Sequence, residues 1–166
     1  MEIALSALLL LLLGDFVATF LYHVPEHVFG RYHAIVHHSP HRSFVRYAWL
    51  NRQPVALLFG FLAFLSYVVW IPLLWSISAE GVLLGLVLAE LHVIWRHQFS
   101  SRYQTPPLVK KLCQLLCITT PERHWLHHQN ANLAYGDVFT FYAVPAQYWL
   151  KLLRQLKKGW RYRLSA

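Results

Sequence analysis

Residues 3–22 form an apolar run in which Asp15 is the only charge. A bilayer core is crossed by about 20 apolar residues of helix, and within it every backbone N–H and C=O must bond inside the segment. The run therefore predicts a spanning helix, residues 54–77 predict a second, and the shorter run 81–95 predicts a third. The chain is 57% hydrophobic and 13% charged, about half the charge of a soluble domain. The first run lacks a basic leader and a small-residue cleavage site, and Asp15 interrupts it, so it is expected to be a retained helix and not a signal peptide. No internal repeat or low-complexity linker divides the sequence. The expectation is an all-α integral membrane protein, one domain over residues 1–166, with about three transmembrane helices.

Every Lys and Arg lies in residues 31–52 or from Arg96 onward. By the positive-inside rule this places the N-terminus outside and the 23–53 loop and C-terminal third in the cytoplasm. The net charge of +8 flanks apolar spans instead of forming a soluble basic face, which favours anionic lipid headgroups over nucleic acid as the partner. Segment 106–118 sets Leu108, Leu112, Leu115 and Leu116 beside Lys110 and Lys111. The tail from Gln147 repeats the pattern with Trp149, Leu152, Leu153, Leu156 and Trp160. Both are expected to be cytoplasmic amphipathic helices on the membrane surface. Cys113 and Cys117 are expected to stay reduced and to pack within a helix.

The eleven histidines fall into four clusters. His23 and His27 form H-x3-H; His33, His37 and His38 form H-x3-HH with His41 just after; His92 and His97 form H-x4-H; His124, His127 and His128 form H-x2-HH. On a helix, i,i+4 and i,i+3 positions are about 40° and 60° apart, so such histidines share a face. Neutral imidazole suits first-row transition metals, and seven acidic residues are too few for a hard-ion site. Adjacent imidazoles at the end of a span are costly unless something coordinates them. The expected metal ligands are His23, His27, His33, His37, His38, His97, His124, His127 and His128. This exceeds the three or four ligands of a single zinc-like site, so two ions are expected. His92 is an alternative to His97, since the two are about 140° apart on a regular helix. Pro25, between His23 and His27, is expected to break the first helix. His41 is as well placed to support a ligand as to be one.

These boxes resemble the fatty acid hydroxylase and sterol desaturase superfamily of membrane di-iron enzymes, over Asp15 to about Gly136. Asp15 and Tyr22-His23-x3-His27 are similar to its opening. His33-x3-His37-His38-Ser39 is similar to its HH-Ser box. Thr120-Pro121-x2-His124-x2-His127-His128 followed by Tyr135-Gly136 is similar to its closing signature. Where the family commonly has a tryptophan, an aspartate and a Phe-Gly-Thr ending, this chain has Gly136-Asp137-Val138-Phe139. The short length and H-x4-H box are also similar to β-carotene hydroxylases.

The resemblance implies two iron ions, replaceable by zinc on purification, that use O2 to hydroxylate or desaturate a C–H bond of a fatty acyl chain, sterol-like lipid or carotenoid. Among the acids near the boxes, Asp15, Glu26 and Glu90, Glu90 lies seven residues before His97 on the same helical face and is expected either to orient a ligand or to pair with Arg96 or another interfacial cation, with Asp15 a further candidate. The chain has no nucleotide loop, iron–sulfur cysteine set or haem-attachment motif, so electrons must come from a ferredoxin, cytochrome or reductase partner. The competing expectation is a non-catalytic, histidine-rich membrane protein that binds metal or haem and transfers electrons.

Overall fold

The computed structural model describes residues 1–37, 43–97 and 103–164. Among them there are helices and one isolated bridge, Ile118 to Phe139, but no strand. Helix α1 (Glu2–Val17) continues through a π-helical turn (Ala18–His23) into α2 (Val24–Val28), one helix of 27 residues. The expected break at Pro25 does not occur. Proline lacks an N–H and its ring clashes with the preceding turn, and the wider π turn absorbs both defects. The Val24 N–H already reaches back to the Thr19 carbonyl. The next carbonyl in that register, Phe20 O, would receive the hydrogen that Pro25 lacks, and the Trp149 indole donates to it instead at 2.9 Å.

Helices α3 (Tyr32–His37) and α4 (Phe44–Asn51) lead to α5 (Val55–Val68) and α6 (Ile71–Trp75). Among the described residues, Val55–Trp75 and Glu2–Val28 are the two helices long and apolar enough to cross a membrane. The third expected span lies in α7 (Ala79–Arg96), which carries Glu80, Glu90 and Arg96 and is not one of those two. Its charge sets it apart, although it packs along α1. A Cβ on Gly81 would lie 2.5 Å from Ile3 O, and one on Gly85 would lie 2.9 Å from Leu10 Cδ2. Small residues four apart let two helix backbones approach in this way. Ser6, opposite, places its hydroxyl 3.3 Å from Leu74 O and 3.2 Å from Ser78 O, tying the α6–α7 turn to α1.

The outer faces of these helices are apolar: Leu57, Leu58, Phe61 and Phe64 of α5 and Leu83, Val87 and Leu91 of α7 are exposed. Such an apolar exterior is compatible with insertion into hydrocarbon. The remaining helices, α8 (Pro107–Leu115), α9 (Pro121–Gln129) and α10 (Ala143–Leu164), follow α7. The two expected amphipathic segments are α8 and α10. On α10 the apolar stripe divides: Leu150 and Leu153 are buried with Val24, Val28 and Tyr135, while Leu152, Leu156 and Trp160 are exposed. Both cysteines are free thiols.

The α1–α7 contact yields a test. Gly85→Leu forces a side chain into α1 and is expected to destabilise the protein by about 1–3 kcal/mol, read as a lower thermal midpoint in detergent. Gly159→Ala, whose Cβ meets nothing within 4 Å, is expected to leave the midpoint unchanged or raise it, since alanine is the better helix former.

Candidate metal centre

Helix α9 supplies three of the imidazoles. It starts where a helix should: the Thr120 hydroxyl accepts from Arg123 N–H, and Pro121 occupies the first turn. The Glu122 carboxylate accepts from both the N–H and the hydroxyl of Thr105, fixing the helix against the segment after α7. Sequence spacing suggests one common direction for His124, His127 and His128. The structure divides them, because His127 and His128 are about 100° apart around the axis. His127 joins His23, His27 and His33, whose donor atoms all lie within 4.8 Å of one another; His124 and His128 join His97 in a second group of the same tightness. The His124 and His127 rings stack with centroids 6.1 Å apart, so the two groups are neighbours.

The geometry within each group is that of ligands facing an ion. His127 Nε2 lies 2.9 Å from His23 Nε2 and 3.1 Å from His27 Nε2. His124 Nε2 lies 3.1 Å from His97 Nε2 and 3.2 Å from His128 Nε2. Nitrogens bound about 2.1 Å from one ion are separated by roughly 3 Å. Tautomers sharpen the point. His127 Nδ1 faces the Leu133 carbonyl at 2.8 Å, His97 Nδ1 faces the Val93 carbonyl at 2.7 Å, and His23 Nδ1 faces the Asp137 carboxylate at 3.3 Å. Those partners only accept, so each Nδ1 carries the hydrogen and each Nε2 points a lone pair inward. The lone pairs of His23 and His127 therefore face each other at 2.9 Å, an arrangement that calls for a cation between them.

Burial holds three of the imidazoles, His33, His97 and His124, in neutral form. His33 and His124 are held well below the usual histidine pKa, by burial first and then by the neighbouring His23 and the Arg96 cation respectively. His97 is lowered to about 4 by burial and Arg96. The Tyr135 ring walls the four-histidine group, 4.7 Å from the His127 ring, with its hydroxyl on Ala131 O. Tyr22 closes another side, its hydroxyl 3.4 Å from His33 Nδ1.

Several expected residues take other places. Glu90 is exposed on α7 and joins neither group. It would share His97's face only on an uninterrupted helix, and α7 ends at Arg96 with His97 in a non-helical conformation. His92 Nε2 bonds the Thr119 carbonyl at 2.8 Å, bracing α7 to the approach of α9, and His92 joins neither group. Asp15 touches no histidine and accepts hydrogen bonds from residues 137–139. The His37 side chain, His38 and His41 lie outside the described residues. Asp137 and Arg96 are additions. Asp137 bonds His23 and pairs with Arg96 at 2.9 Å. Burial pushes its carboxyl pKa up, but Arg96 and His23 outweigh this and hold it well below the ordinary value. The only sequence hint was that aspartate follows Tyr135-Gly136 at the end of the closing box.

Two groups of imidazoles, with His23, His127 and His97 oriented through Nδ1, agree with what comparison of sequences finds: the fatty acid hydroxylase family model matches residues 7–144. The chain belongs to the fatty acid hydroxylase family. No curated protein and no solved structure matches it. The family comprises membrane-bound, metal-dependent hydroxylases and desaturases, and the donor set of this fatty acid hydroxylase family member is chemically suited to a transition metal.

The lowered histidines set a pH dependence for metal-free protein. In the unfolded chain they take up protons near pH 6.5; folded, His97 does so only near pH 4. Between those values the unfolded state binds more protons, so stability falls as pH falls. The thermal midpoint of chelator-treated protein is expected to drop from pH 7.5 to pH 5, whereas a flat profile would mean that the imidazoles are not buried in neutral form.

Proposed function

We propose that this protein is a membrane-embedded lipid hydroxylase or desaturase that holds two iron ions, one in each histidine group, and works with O2 and an external electron donor. The observation that carries the reading is the pair of facing Nε2 atoms on His23 and His127, 2.9 Å apart, each ring with an acceptor behind its Nδ1. His23, His27, His33 and His127 would hold one ion, and His97, His124 and His128 the other, with His37 and His38 completing the set. Bound iron would supply the O2 activation that removes hydrogen from an unactivated carbon. Family membership supports the reaction class.

The chain's share is orientation and dryness. Leu133 O, Val93 O and Asp137 aim the ring nitrogens, as partners beyond a metal's own ligands generally do. Tyr22 and Tyr135 shield the four-histidine group from water. An apolar groove of about 220 Å³ runs between the first spanning helix and α5, lined by Val17, Leu21, Leu62, Leu65 and Val69, and it includes Tyr22. Tyr22 in turn touches His33. A hydrocarbon chain lying in this groove would end against Tyr22, the side chain that separates it from His33, which favours an acyl or similarly apolar substrate. The same reading makes α7 a third span and puts the metal centre on the cytoplasmic side, with the N-terminus opposite. Lys110, Lys111, Lys151, Arg154 and Lys158 would then face anionic headgroups and the electron donor, where charge raises encounter rates.

Metal stoichiometry of purified protein, with mass spectrometry of lipids from cells making each variant, is the test. Unmutated protein is expected to bind two ions and to yield oxidised lipid. His127→Ala and His124→Ala each remove a ligand from a different group and are expected to lose at least one ion and all product. Glu90→Gln, on the exposed face, is expected to keep both ions. A His127→Ala protein that retains two ions would sink the reading, and a Soret band in the optical spectrum would replace it with a haem carrier.

A further inference from the structure

The Asp15 carboxylate lies in the first spanning helix with no solvent exposure. A charge so placed is costly and must be matched by donors. Its donors are specific: Oδ1 accepts from the Thr19 hydroxyl and the Asp137 N–H, both at 2.9 Å. Oδ2 accepts from Val138 N–H at 2.9 Å and Phe139 N–H at 2.6 Å. Three consecutive backbone N–H groups thus converge on one carboxylate, a concave arrangement suited to an anion.

The turn that offers them is built for it. Gly136 has φ +101°, and a Cβ there would sit 2.3 Å from Phe139 O. The Thr119 N–H donates to Val138 O at 2.8 Å, and the Thr119 hydroxyl lies 3.2 Å from Gly136 O, so α9's approach and this turn are locked together. The turn presents one charged side chain, Asp137, and it points at His23 Nδ1 and at Arg96. Arg96 also donates to the Asp137 carbonyl at 2.6 Å, leaving Asp137 no freedom to swing away.

We propose that Asp15 is a positioning residue for the four-histidine group, acting through the 137–139 turn: it fixes Asp137, Asp137 fixes the tautomer and tilt of His23, and His23 Nε2 is thereby aimed at the point shared with His27, His33 and His127. The inference rests on the reading of that group as a metal site. It predicts a selective effect, because the Nδ1 hydrogen of His97 in the second group goes to Val93 O, outside this chain of contacts.

The test uses full-length protein in detergent, stripped of metal and titrated with Co2+, whose visible absorption reports imidazole coordination at each binding step. Asp15→Asn turns an amide N–H toward the Val138 and Phe139 donors. It is expected to weaken one of two Co2+ binding steps about 10- to 100-fold and leave the other unchanged. Asp137→Asn, nearly isosteric, is expected to weaken the same step. The double variant is expected to lose no more than the larger single loss, since residues acting through one path are not additive. Two Co2+ bound by Asp15→Asn with unmutated affinity would overturn the proposal, as would additive losses or equal weakening of both steps. If Asp15→Asn does not fold, Asp137→Asn alone decides: undiminished affinity overturns the relay, and selective loss supports it. Failure of the unmutated protein to bind Co2+ is a separate outcome that removes the metal reading itself, and the relay with it.

Discussion

Two imidazole nitrogens that both present lone pairs repel at 2.9 Å, and His23 and His127 are held at that distance. Much of the structure around them keeps this contact in place. The Leu133 carbonyl stands behind His127 and the Asp137 carboxylate behind His23, and each favours the hydrogen on Nδ1 and a lone pair on Nε2. A cation at the shared point would take up both lone pairs, which would make ion binding and folding parts of one equilibrium.

Building such a site at the end of a bilayer-length helix sets polar demands against apolar surroundings. The first helix must carry an apolar exterior, the Asp15 carboxylate and two histidines, and must pass Pro25 between those histidines. The π turn at Ala18–His23 reconciles these needs by shifting register, at the cost of an unsatisfied carbonyl on Phe20 that Trp149 then occupies. Helix α10 is thus more than an amphipathic cover. Its buried face packs on Val24, Val28 and Tyr135, and its indole completes the backbone of the helix that presents His23.

Charge follows the same logic. Asp15, Asp137 and Arg96 are three ionisable groups in a largely apolar region, and each is matched: Asp15 by backbone donors, Asp137 by Arg96 and His23, Arg96 by the carboxylate and carbonyl of Asp137. Buried charges left unpaired cost several kcal/mol each. Their arrangement fastens the turn at residues 136–139 between the first helix and α7.

Local rules made much of this legible. Two apolar runs of bilayer length, the amphipathic character of α8 and α10, and histidines at helical spacing depend only on neighbours within a turn or two, and the helices follow from them. The boxes 120–128 and 23–27 named ligand candidates because imidazoles so crowded near apolar spans need a shared partner. What sequence order could not decide was which histidine joins which group: periodicity sets His127 and His128 on different sides of α9, but their partners, His23 and His27 for the one and His97 for the other, come from outside that helix. Glu90 looked well placed because a regular helix was assumed, and α7 ends one residue before His97. Pro25 looked like a break because the compensating donor, Trp149, comes from the far end of the chain. Asp137 stands out in the sequence only as the aspartate after Tyr135-Gly136, and folding sets it between His23 and Arg96. Pattern along the chain determined helix, membrane character and ligand chemistry, whereas partners distant in sequence decided orientation, because a ring's tautomer and direction depend on the atom behind it.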